Sequence, residues 1–554
     1  MDEQVQTEVK GEKPGILRRI LWWLWILLLS ALLVFGLIFA IPWKAITPIV
    51  IFLAAAIILP RACRKWFWLG VGIVIIALVV WVFLPEDNKD WRPYTFDKEL
   101  TQLQAKYAVP DSENAAIIYN QILENWKQKE ANEPNLPNDW HRLALNGPWL
   151  SKDQPEIAAY LWYHRDTIDG VLQAIKLEKC SFPIVASLED FSKGLGRLPA
   201  TRQWAYLLVA AGNNTLAEGN ANETIEKYLA ALRMGQHMSW QLSSVDMLVG
   251  IAIKALGLGG IDNFVVREDA NETYLSQVEH AVFQIRHDWC SDLPGFVDSE
   301  KLMLKNMLGE LFYEVNSKGK VRFSHDPLAR IREQTQKHLS NEIDDDAEIF
   351  SGYWFKKLFK AYTILYWFYA PQTPEKLSKI VDAGFEKNYT MTEPDFDWSK
   401  KPQIVPIESL YQYKMNIRNH IQLVSRMNME TYYGLHDIYL QNLAKQRGTL
   451  LIIALRRYKN ANGHWPENLE DIKNTAPIEI FTDPLNGDSF VYKLTEDNFT
   501  LYSKGKNGID EGGVQETKFN DDYRKIEKIK DDLMIWPTGK AKKTDQENAN
   551  ADQQ

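Results

Sequence analysis

The amino-acid sequence predicts a mainly α-helical α+β protein with three N-terminal transmembrane helices, a large helical-hairpin domain and a small C-terminal α+β unit. Three observations support this prediction. Long apolar segments fill most of residues 20–84, helical periodicity follows as far as residue 444, and alternating strand patterns are concentrated beyond it. A chain of 554 residues is also too long for one ordinary hydrophobic core, so several domains are expected.

The N-terminal apolar segments are long enough to cross a bilayer. Residues 20–41 and 66–84 form stretches of 22 and 19 residues without a charge, and a hydrocarbon core of about 30 Å requires about 20 helical residues. The segment between them, 45–59, has only 15 residues and is short enough to be re-entrant. Because no ionisable residue interrupts these segments, we expect a membrane anchor rather than a transporter or an ion pathway.

Basic residues near the apolar segments indicate the orientation of the chain. Arg18 and Arg19 precede the first segment, and a basic cluster around Arg61 separates the second from the third. If all three segments span, both basic groups face the cytoplasm, as the positive-inside rule requires. We therefore expect a multi-pass protein of the bacterial inner membrane, with residues 1–19 cytoplasmic and the chain after the third segment extracytoplasmic. A cytoplasmic sensor is the alternative if the segment 45–59 does not span.

Composition excludes one class of partner and leaves a disulfide open. The formal net charge is −9 with both signs interspersed, so we expect no basic face for nucleic acid. Of the three cysteines, Cys180 and Cys290 fall in the region expected outside the cell, where they either pair or remain free thiols. The spacing of cysteine and histidine matches no common metal site.

Residues 87–444 have the periodicity of helices joined by short polar turns. The patterns predict helices over 110–126, 154–178 and 244–261, and a helical hairpin over 202–238. The joint of that hairpin lies at Gly219, and its second helix places small residues after Tyr228. The hairpin resembles a tetratricopeptide unit, but no repeat of about 34 residues accompanies it. An irregular array of helical hairpins is therefore expected, and strand patterns are almost absent here.

Two further stretches of the helical region were candidates for function. Residues 350–370 are strongly aromatic and are predicted to form either a buried core helix or a helix lying on the membrane surface. The stretch RHDWCSD gathers His287, Asp288 and Cys290, but it is expected to end a helix and has no partner motif. The chain has no metalloprotease, serine-hydrolase or phosphate-loop motif. No catalytic residue is therefore predicted.

The C-terminal unit, residues 445–537, has a different pattern. A helix with an apolar face ends at NANG, and a short helix follows within HWPENLEDI. Residues 490–494 and 499–503 alternate as two antiparallel strands across the turn TEDN. A glycine-rich loop, residues 503–513, then leads into a stretch expected to be polar coil. The tail 538–554 is disordered by composition.

Three motifs of this unit occur in a recognisable order: LRRYKNANGHWPENLEDI, TDPLNGDSFVYK and FTLYSKGKNGIDEGG. Together they resemble the globular domain of the major pseudopilins of type II secretion, over about 90 residues. That family has a long helix, a hairpin that follows an Asp-Pro pair, and a glycine-rich loop that binds calcium. The whole chain is also similar to large membrane-anchored proteins of planctomycetes that end in such a unit, a likeness that implies no particular activity.

The glycine-rich loop admits more than one interpretation. A phosphate loop is not expected, because its glycines would have to precede a helix N-terminus directly. The resemblance implies a calcium ion, which takes six to eight oxygen ligands. The side chains implied as its ligands are those of Asn507, Asp510, Asp531 and Asp532. Asn507 stands where the family has aspartate, which removes a charge and weakens the expected binding, and the acids at 521–522 are rival ligands. A plain hairpin exit with solvated acids is the alternative.

The sequence as a whole favours a non-enzymatic interaction protein. We expect the extracytoplasmic domains to bind other envelope proteins, with a link to secretion, while the lipid bilayer holds the N-terminal helices. Assembly into a pilus is not expected, because the pseudopilin-like unit follows a helical region of about 360 residues. The alternative is an extracytoplasmic hydrolase whose site is built from different helices and shows no linear motif.

Overall fold

The structure is a computed structural model that describes residues 90–537, except 130–132, 138, 185, 187–195, 286–287, 325–370, 372, 394, 399, 401–416 and 520–525. The predicted membrane segments, the aromatic stretch 350–370, the acids at 521–522 and the tail 538–554 lie outside the described residues. The described residues are 62% helical with few strands, which confirms a mainly α-helical α+β protein.

The helices of the described residues are α1 (Asp97–Lys106), α2 (Ala115–Lys129), α3 (Trp140–Leu145), α4 (Pro155–Tyr163), α5 (Arg165–Ala174), α6 (Arg197–Ala217), α7 (Ala221–Ser239), α8 (Ser244–Val265), α9 (Glu272–Gln284), α10 (Trp289–Phe312), α11 (Pro374–Tyr389) and α12 (Ile417–Asn462). The strands are β1 (Trp91–Pro93), β2 (Tyr313–Asn316), β3 (Val321–Phe323), β4 (Val491–Leu494), β5 (Phe499–Ser503), β6 (Gln515–Phe519), β7 (Ile526–Asp531) and β8 (Leu533–Trp536).

The helices predicted in the central region are present, with one correction. α2, the α6–α7 hairpin and α8 occupy the predicted stretches, and Gly219 lies in the α6–α7 joint with φ +83°. The single helix predicted over 154–178 is wrong, because the chain is divided at His164 into α4 and α5. The His164 side chain is fully buried, and its ring centroid lies 4.5 Å from that of Trp126. No glycine or proline marks this position, so no sequence signal announces the break.

Helix α8 crosses α7 at short range. A Cβ atom on Gly250 would lie 2.6 Å from the carbonyl oxygen of Gly235 and 2.8 Å from the Cα of Ser239, so only glycine permits this approach. Among the described helices, α8 alone is long and apolar enough to cross a membrane. Its most apolar stretch has a mean hydropathy of 1.6, but 56% of that stretch is buried inside the fold. We interpret α8 as the core helix of the helical domain.

A small antiparallel sheet lies in the region where strand patterns were not predicted. Its strand order is β1-β2-β3, with Trp91 opposite Asn316 and Tyr313 opposite Phe323. β1 and β3 have three residues each and β2 has four. Strands of this length are too short to display an alternating pattern. β1 is also separated from its partner β2 by more than 200 residues, with ten α-helices among the described ones. The sequence therefore offered no signal for the sheet.

Helix α12 connects the helical domain with the C-terminal unit. It has 46 residues, and the boundary expected at residue 445 lies inside it. Tyr432 and Leu435 in its first half belong to a core formed with α10 and α11. Leu451 and Leu455 in its second half belong to a core that includes α6, α7 and α8 as well as the C-terminal sheet. The C-terminal unit therefore has no core separate from that of the helical domain.

The C-terminal sheet has the antiparallel strand order β4-β5-β8. The predicted hairpin is confirmed, with Tyr492 opposite Leu501 and Leu494 opposite Phe499. The polar coil predicted after the glycine-rich loop is wrong, because β6 and β7 pair there as a second hairpin. Its strands carry charges on exposed positions, such as the pair Glu516 and Lys530 with 3.4 Å between Oε2 and Nζ. Because these strands are rich in charged residues, they lack the alternation of apolar and polar residues from which strands are predicted.

The structure answers whether the two cysteines in the described residues pair. Cys180 and Cys290 are both free thiols. Cys180 is buried and Cys290 is half-buried. Burial raises the pKa of both thiols, so neither has the thiolate character of a reactive cysteine.

Candidate functional site

The glycine-rich loop leaves β5 at Ser503 and folds back over the end of β7. Gly505, Gly508, Gly512 and Gly513 all have positive φ angles, between +64° and +78°. At Gly505 this conformation brings the backbone against Asp531, since a Cβ atom there would lie 2.5 Å from the Asp531 Cγ. Glycine is therefore required at this position both for its backbone conformation and for the contact that it allows.

The acid pair lies where β7 ends and β8 begins, inside the curve of the loop, with Asp531 as the last residue of β7 and Asp532 between the two strands. One oxygen of Asp531 accepts a hydrogen bond of 2.9 Å from the Lys506 N–H. One oxygen of Asp532 accepts from the N–H groups of Glu511 and Gly513, at 2.9 and 2.8 Å. The loop and the acid pair, which are distant in sequence, are thus brought together.

The second oxygen of each acid is buried and lacks a hydrogen-bond partner among the described residues. These atoms are Oδ1 of Asp531 and Oδ1 of Asp532. Burial raises the pKa of Asp532, and the nearby carboxylates of Glu511 and Asp510 raise it further. A cation between these groups would offset both effects. The two oxygens therefore fit a hard cation such as calcium.

The side chains of the other two residues implied as ligands are hydrogen-bonded within the protein. Asn507 is exposed, and its Oδ1 accepts from the Ile509 N–H at 2.7 Å. Asp510 Oδ1 accepts from the Tyr502 hydroxyl at 2.6 Å, and its Oδ2 lies 3.3 Å from the Lys493 Nζ. The hydrogen bond from Tyr502 is the main cause of the lowered pKa of Asp510. The structure therefore gathers two of the four predicted ligands.

Side chains alone do not complete a metal site in the described part of the chain. No group of three or more His, Cys, Asp or Glu side chains is arranged there to hold a metal ion. Calcium at Asp531 and Asp532 would take its remaining ligands from backbone carbonyls of the loop and from water. The ion would neutralise buried charge and stiffen the loop, which is a structural role.

A second loop, residues 483–488, packs against the glycine-rich loop and is hydrogen-bonded to it. Asp483 is fully buried, and it accepts from the Leu485 N–H at 3.0 Å and from the Asn486 side chain at 2.8 Å. Asn486 in turn donates to the Gly505 carbonyl at 2.8 Å. Asp483 and Asn486 both belong to the segment TDPLNGD. In the sequence this segment was noted only as one motif of the pseudopilin resemblance, and its contact with the glycine-rich loop was not predicted.

A buried polar cluster joins the helical domain to the C-terminal unit. Asp262 on α8 is fully buried, and its two oxygens lie 3.1 Å from the Lys445 Nζ and 2.7 Å from the Thr449 hydroxyl on α12. Lys445 also donates to the Ile535 carbonyl on β8 at 2.9 Å. We call Asp262, Lys445 and Thr449 the α8–α12 junction. No sequence signal marks it, because α8 contains three charged residues and α12 contains more.

Two cavities in the helical domain are large enough to be considered for an enzyme site. The first, of about 200 Å³, is lined by Cys180 and by the buried ion pair of Arg197 and Asp246. The second, of about 330 Å³, is lined by Glu133 and Gln203. The first cavity is also lined by Ser243, whose hydroxyl accepts from the Asp246 N–H as the N-cap of α8, so this pair is explained by helix capping.

A histidine that contacts Glu133 of the second cavity is shielded from solvent. His164 is fully buried, and its Nε2 lies 3.1 Å from the Glu133 Oε1. Burial, with a contribution from Lys129, lowers the pKa of His164 to about 4. The ring is therefore neutral near pH 7 and is shielded from solvent, which indicates a structural role.

The RHDWCSD stretch also has a structural role where it is described. It was expected to end a helix, but Asp288 begins one, as the N-cap of α10. Its carboxylate accepts from the Cys290 N–H at 3.2 Å and from the Ser291 hydroxyl at 2.6 Å. His287 lies outside the described residues. An aspartate in this position is explained by helix capping.

Comparison of the chain with protein-family models, with curated proteins and with solved structures gave no match in any of the three. The resemblance of the C-terminal unit to the major pseudopilins therefore stays a prediction based on its motifs.

Proposed function

We propose that the protein is a membrane-anchored scaffold of the bacterial envelope, whose helical domain and C-terminal unit together form one rigid binding platform outside the cytoplasm. The observation that carries this proposal is the shared core of the two parts, fixed by the α8–α12 junction. A platform needs a fixed geometry between its parts. The ion pair of buried Asp262 with Lys445, together with the hydrogen bonds from Thr449 to Asp262 and from Lys445 to the Ile535 carbonyl, specifies one geometry.

The position of α12 supports a fixed unit rather than a fibre subunit. A pseudopilin assembles through the hydrophobic helix that precedes its globular domain. Here the corresponding helix is covered, because Tyr432 and Leu435 are buried against the helical domain and Gln446 donates to the carbonyls of Val282 and Ile285 at 2.6 and 2.7 Å. These contacts occupy one face of the helix, which is then not available for polymerisation.

An exposed tryptophan marks a candidate contact for a partner protein. Trp162 on α4 is 69% exposed, and the guanidinium carbon of Arg165 lies 4.3 Å from its ring centroid. Tryptophan and arginine are enriched among the residues that dominate protein–protein binding energy. The stacked arginine orders the ring before binding, which lowers the entropic cost of association.

Location and binding are tested separately. A periplasmic reporter fused after Trp536 should be active, and a reporter that is active only in the cytoplasm would overturn the proposed location. For binding, the full-length protein is crosslinked in native membranes and purified. We expect a stoichiometric envelope protein that is lost with Trp162→Ala and retained with the exposed control Lys152→Ala. A chain that purifies alone under these conditions would overturn the scaffold role.

A further inference from the structure

The small sheet β1-β2-β3 lies where the described chain begins. β1 pairs antiparallel with β2, so that Trp91 lies opposite Asn316 and Pro93 lies opposite Glu314. The β2–β3 turn, residues 317–320, follows Asn316 directly. This turn therefore lies beside the first residue of β1, at the end of the sheet from which the chain leads back to the proposed membrane anchor.

The connection between this sheet and the anchor is short. Six residues, 85–90, separate the third apolar segment from Trp91. A fully extended chain covers at most about 3.5 Å per residue, so six residues span about 20 Å. If residues 66–84 cross the bilayer, the turn lies within about this distance of the headgroups.

The turn and its surroundings present unpaired positive charge. Arg92, Lys318 and Lys320 are exposed and have no acidic partner within the described residues. Arg322, by contrast, is paired with the buried Glu314 at 2.7 Å, and it stacks on Trp91 with 4.0 Å to the ring centroid. Three exposed basic side chains thus lie at the end of the sheet that is near the proposed anchor.

The turn is held in one conformation. The Asn316 side chain accepts from the N–H groups of Lys318 and Lys320 at 3.1 and 2.8 Å. Gly319 supplies the positive φ of +75° that the turn requires. A fixed turn loses little conformational entropy when its lysines bind a charged surface.

We propose that the β2–β3 turn, together with Arg92, is a docking surface for the anionic phospholipid headgroups of the membrane that anchors the chain. This inference rests on the membrane anchorage proposed above. Docking would hold the platform in one orientation against the bilayer. Basic side chains at an anionic membrane surface each contribute about a fivefold gain in affinity.

One intramolecular alternative has to be distinguished. The connecting residues 85–90 contain Glu86, Asp87 and Asp90 against the single basic residue Lys89. If these acids neutralised the turn instead of lipid, contact with the bilayer would not depend on lipid charge. The test therefore varies the lipid and the turn independently.

The full-length protein is placed in nanodiscs of phosphatidylcholine alone or with 30% phosphatidylglycerol, a composition of about physiological charge, with a photo-crosslinking amino acid at Ser317. We expect a several-fold higher yield of lipid adducts in the anionic discs and a decrease when the salt concentration is raised. Lys318→Gln/Lys320→Gln should remove most of this gain, whereas the exposed pair Lys152→Gln/Lys387→Gln should leave it unchanged.

The outcomes separate this inference from the anchorage on which it rests. Equal yields in the two kinds of disc, or yields indifferent to the two lysines, would overturn the docking surface while a chain resistant to alkaline carbonate extraction would still support the anchor. A chain that carbonate extracts from native membranes would overturn both.

Discussion

Asp532 is the residue on which the calcium hypothesis depends. Its carboxylate is fully buried, and one of its oxygens has no partner among the described residues. Replacing Asp532 by Asn preserves the shape of the side chain and an oxygen that accepts hydrogen bonds, but removes the charge that a cation requires. We predict a saturable calorimetric signal when calcium is titrated into the full-length protein, with a Kd of about 10⁻⁴ to 10⁻³ M, and its loss in Asp532→Asn.

The matched control for this measurement is Asp488→Asn. Asp488 is exposed and pairs with Lys504 at 2.7 Å, outside the curve of the loop. This variant should bind calcium as the wild type does. The absence of a signal from the wild type, or equal signals from the wild type and Asp532→Asn, would reject the site.

His237 makes stability depend on pH. It is fully buried, with Nδ1 3.0 Å from the Tyr119 hydroxyl. Burial, with a contribution from Arg233, lowers its pKa to about 4. An unfolded histidine has a pKa of about 6.5, so between these values the unfolded chain binds a proton that the folded chain does not. Stability contributed by neutral His237 is therefore present above pH 6.5 and is lost as the pH falls toward 4.

The prediction concerns a difference between variants. Between pH 7 and pH 4.5, the free energy of unfolding of the wild type should fall by up to about 3 kcal/mol more than that of His237→Gln. Denaturant titrations of the full-length protein in detergent at the two pH values measure this. His280→Gln, at an exposed histidine, should change the pH dependence little. An identical pH dependence in His237→Gln and the wild type would show that the buried ring does not resist protonation.

At the scale of elements, the crossing of α7 and α8 can be tested with two glycines of the same helix. A Cβ atom on Gly250 would clash with the backbone of α7, whereas one on Gly259 would meet no atom within 4 Å. We predict that Gly250→Ala lowers the free energy of unfolding by about 3 kcal/mol and that Gly259→Ala raises it by about 1 kcal/mol. Urea titration distinguishes the two, and equal effects would contradict the close crossing.

The elements that the sequence predicted are those with a local signal. The α6–α7 joint is marked by Gly219, and the β4–β5 hairpin by alternation around TEDN, and both were placed correctly. The break at His164 was missed because it depends on the rings that surround that side chain. The sheet β1-β2-β3 was missed because its strands are short and its register is set by contacts distant in sequence.

The same limit applies to the candidate site. The order of the motifs predicted that the glycine-rich loop and the acid pair form one site, and in the structure the two are hydrogen-bonded to each other. Sequence alone did not indicate that Tyr502 and Lys493 would engage Asp510, because both lie on strands whose register has to be known first. The sequence also did not indicate the α8–α12 junction. Asp262 is distant in sequence from Lys445 and Thr449, and the three residues come into contact only when the two helices pack.

For the whole molecule, the α8–α12 junction decides whether the platform behaves as one body. Lys445→Met would leave Asp262 buried with Thr449 as its remaining partner and would remove the hydrogen bond to the Ile535 carbonyl. Breaking a buried ion pair from one side costs about 3–5 kcal/mol. We predict that the wild type unfolds outside the membrane in one calorimetric transition, and that Lys445→Met separates the C-terminal unit from the helical domain or lowers the temperature of the whole transition.

Lys459→Met on the same helix is the control for this effect. The Lys459 ammonium lies 3.9 Å from Glu268, whose side chain is 90% exposed, and 4.7 Å from the ring centroid of Trp465. Each of these contacts contributes at most about 1 kcal/mol. The transition should therefore be nearly unchanged in this variant. Two separate transitions in the wild type would mean that the C-terminal unit moves independently. A mobile unit does not present a fixed surface. That result would therefore contradict the proposal that the helical domain and the C-terminal unit form one rigid platform.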